Sequence, residues 1–352
     1  MKNINTILKQ AIDLNASDIH LIENSPPLFR INSVLMPVAG EGALSGEQCK
    51  DLMLEIVNPQ QKELLLTNKE IDFSYTIKDG GRFRVNAYFQ KGSIAAAFRH
   101  IPIHIRGIDE LSLPPILHEF TKLNMGFILV TGPTGHGKST TLAAIIDEIN
   151  QIRAEHIVTI EDPVEYIYLP KQSVISQREM HRDTHSWPVA LRSVLREDPN
   201  VVLIGEMRDY ETIAAALTIA ETGHLVFATL HTNSAAQTID RIVDVFPENQ
   251  QPQIRLQLSN TLAAVISQRL LPGIKTGLVP VAEVLLSSAA VRTTIREGKT
   301  HMIDNIMQTS QDMGMIPLET AMAQKVKKGS LDPKTAEEWS LRPKELMRLI
   351  DK

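Results

Sequence analysis

The chain has 352 residues, enough for two domains, and its 43% hydrophobic and 22% charged residues are values of a globular protein, not a disordered or fibrous one. Its 36 basic against 41 acidic residues give a formal charge of -5, and only 5% are aromatic, which argues against a chain built mainly to coat nucleic acid and gives little support to base stacking, while leaving room for a local basic channel. One cysteine, Cys49, excludes an internal disulfide and a zinc ribbon and points to a reducing, cytoplasmic setting.

The opening "MKNINTILKQAIDLN" has no apolar block followed by a small-residue cleavage site, so no signal peptide is expected. No stretch reaches the roughly 20 apolar residues that cross a bilayer; any membrane association is expected through a partner. Ile4, Ile7, Leu8, Ala11 and Ile12 recur at helical spacing and predict a helix over residues 3–15. "SDIHLIE" (17–23) reads as a strand, and "SPPLFRINSVLMPV" as a turn and hairpin punctuated by Pro26 and Pro27. Helical patterns over 46–57 and 59–66 meet at Asn58-Pro59. Residues 1–100 therefore read as a small α+β domain.

In "GRFRVNAYFQKGSIAAAFRH" (81–100), Phe83, Val85, Ala87 and Phe89 alternate with Arg82, Arg84, Asn86 and Tyr88, the period of a half-buried strand. A two-residue turn at Lys91-Gly92 sets Gln90 opposite Ser93 and hence Arg84 opposite Arg99. Like charges facing each other across a ladder are unfavourable. Either the register differs or something anionic belongs there.

Pro102, Gly107 and Pro114-Pro115 mark residues 101–115 as a linker, and a second domain is expected over 116–352. There the apolar runs "GFILVTG", "HIVTIED", "NVVLIGE" and "HLVFATLHT" alternate with helical stretches, as in a buried parallel sheet with crossover helices. After Pro280 the pattern is predominantly helical. The fold class expected is α/β.

Gly132, Pro133, Thr134, Gly135, His136, Gly137, Lys138 and Ser139 meet the pattern G-x-x-x-x-G-K-[ST] between the strand "FILVT" and the helix "STTLAAIIDEI". Glycines let the backbone curl until successive N–H groups point at phosphate oxygens, and the following helix adds its positive end. Lys138 is placed to bridge β- and γ-phosphates, and the Ser139 hydroxyl to ligate Mg²⁺. Hydrolysis also needs carboxylates. "VVLIGEMRD" ends a strand in Gly205-Glu206, and "IVTIEDPVEY" ends one in Glu161 and Asp162. Ligands of an open α/β sheet bind at the carboxyl ends of its strands, so one acidic cluster would activate water and the other serve the metal. "TGHLVFATLHT" adds His231 where a γ-phosphate sensor belongs and His224 at the strand's start, whose role stays open.

"GPTGHGKS", "TIEDPVEY", "LIGEMRD" and "TGHLVFATLHT", in that order, resemble the Walker A, Asp box, Walker B and His box of the secretion-ATPase superfamily, and most closely the PilT family of type IV pilus retraction motors. "ASDIHL", "GRFRVN" and "AAVRTTIREGKTHMI" extend the resemblance over nearly the whole chain. It implies a PAS-like N-terminal domain, a RecA-like P-loop NTPase domain with a helical C-terminal region, and a homohexamer. It further implies ATP and Mg²⁺ bound through Gly132 to Thr140 with Ser139 and Glu206 serving the metal, Glu161 as catalytic base, and Arg84 and Arg99 reaching a neighbouring subunit's nucleotide. By the same resemblance the motor is cytoplasmic, held at the inner membrane by a pilus platform protein, with paralogous pilus ATPases as further partners. The helix carrying Arg292 and Arg296 would couple the ring to its output.

His136 stands where the family usually has Ser; its side chain is expected to project outward and to make phosphate affinity pH-sensitive. The tetracysteine zinc element of assembly and type II secretion motors is missing, which favours retraction. The alternatives are a related type IV or type II secretion motor and an ATP-binding regulatory subunit with little turnover.

Overall fold

The computed structural model describes residues 3–31, 34–78, 81–101, 104–275 and 277–351. The chain is mixed α/β and divides into two compact units, Met1–His104 with Glu165–Ile167, and Ile105–Val164 with Tyr168–Lys352.

The first unit opens with α1 (Ile4–Asp13), capped by the Asn3 side chain on the Thr6 amide and buried through Ile4, Ile7, Leu8 and Ala11. Strands β1 (Asp18–Leu21), β2 (Leu28–Ile31) and β3 (Val34–Pro37) follow. Helices α2 (Gly46–Leu54) and α3 (Pro59–Asn68) each begin in a reciprocal capping box, Ser45 with Gln48 and Asn58 with Gln61. Then come β4 (Glu70–Thr76), which periodicity did not single out, and the hairpin β5 (Arg82–Gln90) and β6 (Ser93–Ile101). The six strands run in the order β3-β2-β1-β6-β5-β4, and Phe29, Phe83 and Phe98 fill the core beneath them.

The hairpin has the register the turn dictates: Gln90 faces Ser93, and Arg84 faces Arg99. Its anionic partners come from the flanking strands. Asp18, opposite Arg99 on β1, lies 2.9 Å from that guanidinium and 3.7 Å from that of Arg30. Asp72 on β4 lies 3.9 Å from Arg84. Two carboxylates thus interleave with the arginines and offset a repulsion that would otherwise act directly across the ladder.

The second unit begins with the short α4 (Leu117–Phe120) and then β7 (Gly126–Thr131), α5 (Lys138–Ile152), β8 (His156–Glu161), β9 (Val174–Glu179), α6 (Trp187–Val194), β10 (Val201–Ile204), α7 (Tyr210–Glu221) and β11 (Leu225–Leu230). Helices α8 (Ala235–Asp244) and α9 (Gln251–Thr261) lead to an antiparallel pair, β12 (Leu262–Pro272) and β13 (Leu278–Leu286). The sheet order is β13-β12-β7-β11-β10-β8-β9, parallel from β12 through β9. The stretch just after Pro280 completes β13 before the chain turns helical, because Val281, Val284 and Leu285 pack into the sheet's cores. The helical end comprises α10 (Ala289–Arg296), α11 (Ile303–Thr309), α12 (Leu318–Lys327), α13 (Pro333–Trp339) and α14 (Pro343–Asp351). Helices α12 to α14 share a core with Leu271 and Val281 of the β12–β13 pair.

Helix α5, which carries the nucleotide motif's last residues, is tied to α4 through His118. Its Nδ1 lies 2.9 Å from the Glu148 carboxylate and its Nε2 3.2 Å from Asp109. Hydrogen bonds to Glu148 and then Asp109 raise its pKa above the ordinary value. A raised folded-state value means the linked stability is full below the unfolded value of about 6.5 and fades as pH climbs through the folded one. The melting-temperature gap between wild type and His118→Gln should therefore be larger at about pH 6 than at about pH 8.5; a gap independent of pH would contradict this assignment.

Candidate functional site

Register alone gathers four motif-bearing strands at one edge. Thr131, ahead of the phosphate loop, pairs with Leu230, ahead of His231; Ile204, ahead of Gly205-Glu206, pairs with both Ala228 and Ile160. Gly205 continues the ladder, its amide 2.8 Å from the Ile160 carbonyl. A Cβ there would sit 3.2 Å from Glu161 Cα, so a side chain would push the two acidic strand ends apart. Glu161 is buried, only 8% exposed, and its Oε1 accepts from the Thr159 hydroxyl at 2.7 Å. The Gln177 amide reaches the same oxygen at 3.5 Å while its own oxygen accepts from the Tyr168 amide at 3.0 Å.

The phosphate loop curls against β12. Gly132 has φ of +139°, and a Cβ on it would lie 2.2 Å from the Gln268 carbonyl oxygen. Only glycine fits there. Thr134 and Gly135 are exposed, whereas Pro133, Ser139 and Thr140 are half-buried. Lys138 is buried, and its ammonium donates to the Gly132 and Pro133 carbonyls at 2.9 and 3.0 Å. Its charge is thereby held at the loop, beside the amino end of α5.

His231 joins this loop to the acidic strand end. Its Nδ1 lies 3.4 Å from Lys138 Nζ and 3.3 Å from Thr134 Oγ1, and its Nε2 lies 3.0 Å from Glu206 Oε1. An ammonium can only donate, so Nδ1 accepts and Nε2–H donates to the carboxylate. Glu206 Oε2 accepts from Arg208 at 2.8 Å. Burial opposes ionisation of Glu206, but Arg208 and His231 together outweigh it and hold its pKa below the ordinary value. A groove of about 500 Å³ opens here, lined among others by Glu206, Arg208, His231, Asp240 and Asp244. The donors on offer to a metal, the Ser139 hydroxyl and an ionised Glu206, are oxygens, the set that suits Mg²⁺.

The structure thus brings together Gly132 to Thr140, Glu206 and His231, with Glu161 on the adjoining strand. Arg84 and Arg99 belong to the first unit, where Asp72 and Asp18 face them. His224 sits at the opposite end of β11 from His231, and its Nδ1 lies 3.0 Å from the Ile219 carbonyl near the end of α7, a structural contact.

His136 departs from expectation. It does not project outward: it is half-buried, its Nδ1 accepts from the Leu270 amide at 3.0 Å, and its ring centroid lies 5.7 Å from that of Trp339. Strand β12 runs beyond its last pairing with β7, Ser267 with Thr131, so the Leu270 amide faces the loop and needs an acceptor. Gln268 was missed by the sequence reading. It accepts from Thr141 Oγ1 at 2.6 Å and donates to the His136 carbonyl at 2.9 Å. The signal available was "SQR" interrupting an apolar run, since Ser267, Gln268 and Arg269 are all buried.

Residues 1–328 match the family described as type II/IV secretion system protein. The type IV pilus retraction ATPase PilT of Pseudomonas aeruginosa is 42% identical over 96% of this chain and 97% of its own. The type IV pilus ATPase PilU of the same organism is 37% identical over 92% and 85%. A crystal structure of the pilus retraction motor PilT with bound ADP superposes with a TM-score of 0.93 at 45% identity, covering 99% of this chain and 100% of that one.

Gly132→Ala should abolish nucleotide binding, because the added methyl meets the Gln268 backbone rather than a movable side-chain tip. Titration with a fluorescent adenine nucleotide checks this; unchanged affinity would show that the loop does not need its close approach to β12.

Proposed function

The chain belongs to the type II/IV secretion system protein family, and from that membership we propose that it is a homohexameric ATPase motor that hydrolyses Mg-ATP to power type IV pilus retraction and twitching motility. The observation that carries this reading is the meeting of phosphate loop, His231 and Glu206 at one sheet edge, with Glu161 at the next strand end, in a chain similar along nearly its whole length to PilT. Similarity to PilU is lower and covers less of that protein, which favours the principal retraction motor over a PilU-like one.

Each residue has a part in the reaction. Amides of Thr134 to Thr140 and the Lys138 ammonium grip the phosphates, offsetting charge that builds up as the terminal P–O bond breaks. Glu161 orients the attacking water and accepts its proton. Thr159 and Gln177 fix this carboxylate in place. Mg²⁺, when bound, supplies further positive charge to the phosphates, held by Ser139 and through Glu206. His231 reports the γ-phosphate to Glu206 by exchanging one of its Nδ1 contacts, to Lys138 or Thr134, while Nε2 stays on Glu206. Arg84 and Arg99 act on the nucleotide of a neighbouring subunit, leaving Asp72 and Asp18 to do so.

In domain terms, residues 1–100 form a PAS-like domain and 116–352 a RecA-like ATPase domain, with 101–115 joining them. The motor works in the cytoplasm against an inner-membrane pilus platform protein, where paralogous pilus ATPases join it.

A deletion strain should keep surface pili and lose retraction. Reintroduced Glu161→Gln should fail to restore retraction, and the purified variant should bind ATP while its turnover falls roughly 100-fold or more. Loss of pili in the deletion strain would instead indicate an assembly motor, and full turnover by the variant would remove Glu161 from the chemistry.

A further inference from the structure

The phosphate loop has a second set of anchors, on the side facing away from His231. Two hydrogen bonds join its apex to β12, and both run through His136: its carbonyl accepts from Gln268 Nε2 at 2.9 Å, and its ring Nδ1 accepts from the Leu270 amide at 3.0 Å. The Gln268 amide is fixed in orientation, because its oxygen already accepts from the Thr141 hydroxyl at 2.6 Å. One buried glutamine therefore spans the loop and the helix that follows it.

The loop is also seated by shape. A Cβ on Gly137 would lie 2.9 Å from Gln268 Nε2 and 3.0 Å from Leu270 Cδ1, so the same two β12 residues press on the loop at a second point. On its other side the His136 ring meets the Trp339 indole of α13. Trp339 in turn accepts, through its carbonyl, a hydrogen bond from Arg269 of β12. Trp339 lies past residue 328, where the family match ends.

We propose that His136 and Gln268 are positioning residues that lock the phosphate loop onto β12 in its nucleotide-binding shape, and that His136 does so only as the neutral imidazole. The inference rests on the nucleotide-site reading above and adds to it a part for two residues that need not touch the substrate. The chemistry of the lock is one-directional. Leu270 offers an N–H, so Nδ1 must present a lone pair, and a doubly protonated ring has none. The charged groups acting on the ring are Lys138 at the start of α5 and Arg269 on β12, both cationic, while α13 contributes the uncharged indole. Burial first, then Lys138 and Arg269, lowers the His136 pKa from its ordinary value. A lowered value means the lock is complete above about pH 6.5 and is lost only as pH falls through the folded-state value, which lies below that.

Nucleotide affinity follows the lock. The test measures the dissociation constant of a fluorescent ADP by the full-length protein between about pH 8 and about pH 5.5. Phosphate titration is common to all variants, so the informative quantity is the acid-to-neutral ratio of constants compared with His136→Asn, whose Oδ1 stands where Nδ1 does and can accept from Leu270 without titrating. The wild-type ratio should exceed that of His136→Asn, and the excess should grow as the acid pH is lowered. Gln268→Ala should weaken binding at every pH, and Gln268→Glu, which keeps the length but loses the donor to the His136 carbonyl, should do the same. Melting curves over the same pH range separate loss of affinity from loss of fold. Equal ratios in wild type and His136→Asn would overturn the neutral-imidazole lock. Unchanged affinity in both Gln268 variants would overturn the part given to Gln268. Absence of ADP binding by the wild type at every pH would overturn the nucleotide-site reading itself, a different result from either.

Discussion

One imidazole between an ammonium and a carboxylate organises the candidate site. His231 accepts on the side of Lys138 and donates on the side of Glu206. The three groups come from three strands, β7 through its loop, β10 and β11, that the sheet sets side by side. A movement of Lys138 would alter its contact with His231, which also meets Glu206. Binding and the acidic strand end are thus joined by hydrogen bonds of defined polarity, not merely by proximity. Preorganised charge of this kind stabilises a transition state without the cost of rearranging solvent.

The edge depends in turn on backbone close packing. Gly205 lets β10 end against Glu161, and Gly132 lets the phosphate loop turn against Gln268. Both glycines stand where a methyl would force apart chains that have to touch. The Lys138 side chain then closes on the loop's own carbonyls, which keeps its ammonium hydrogen-bonded while it is buried.

The phosphate loop, the acidic strand ends and His231 are legible in sequence because each is a short run with its chemistry in consecutive residues. The hairpin register is legible for a similar reason: the turn at Lys91-Gly92 fixes every later pair, Arg84 with Arg99 included. What stayed hidden is made of contacts between distant residues. Asp18 meets Arg99 from 81 residues away, so the answer to the like-charge pair could not be read from the hairpin itself. Gln268 reaches His136 across 132 residues, and from sequence that glutamine is simply a polar residue in a strand. His136 was misjudged because its loop position says nothing of β12 running past the end of β7. Strand β4 escaped notice because polar Asp72 and Ser74 flank its one fully buried residue, Phe73.

The account stands on phosphate being held by the loop's amides together with the Lys138 ammonium. Steady-state ATP hydrolysis by purified wild type and Lys138→Ala, at equal ring concentration with Mg²⁺, tests it most directly. Turnover should fall by roughly 100-fold or more on removal of that one charge. Equal rates in the two proteins would contradict it.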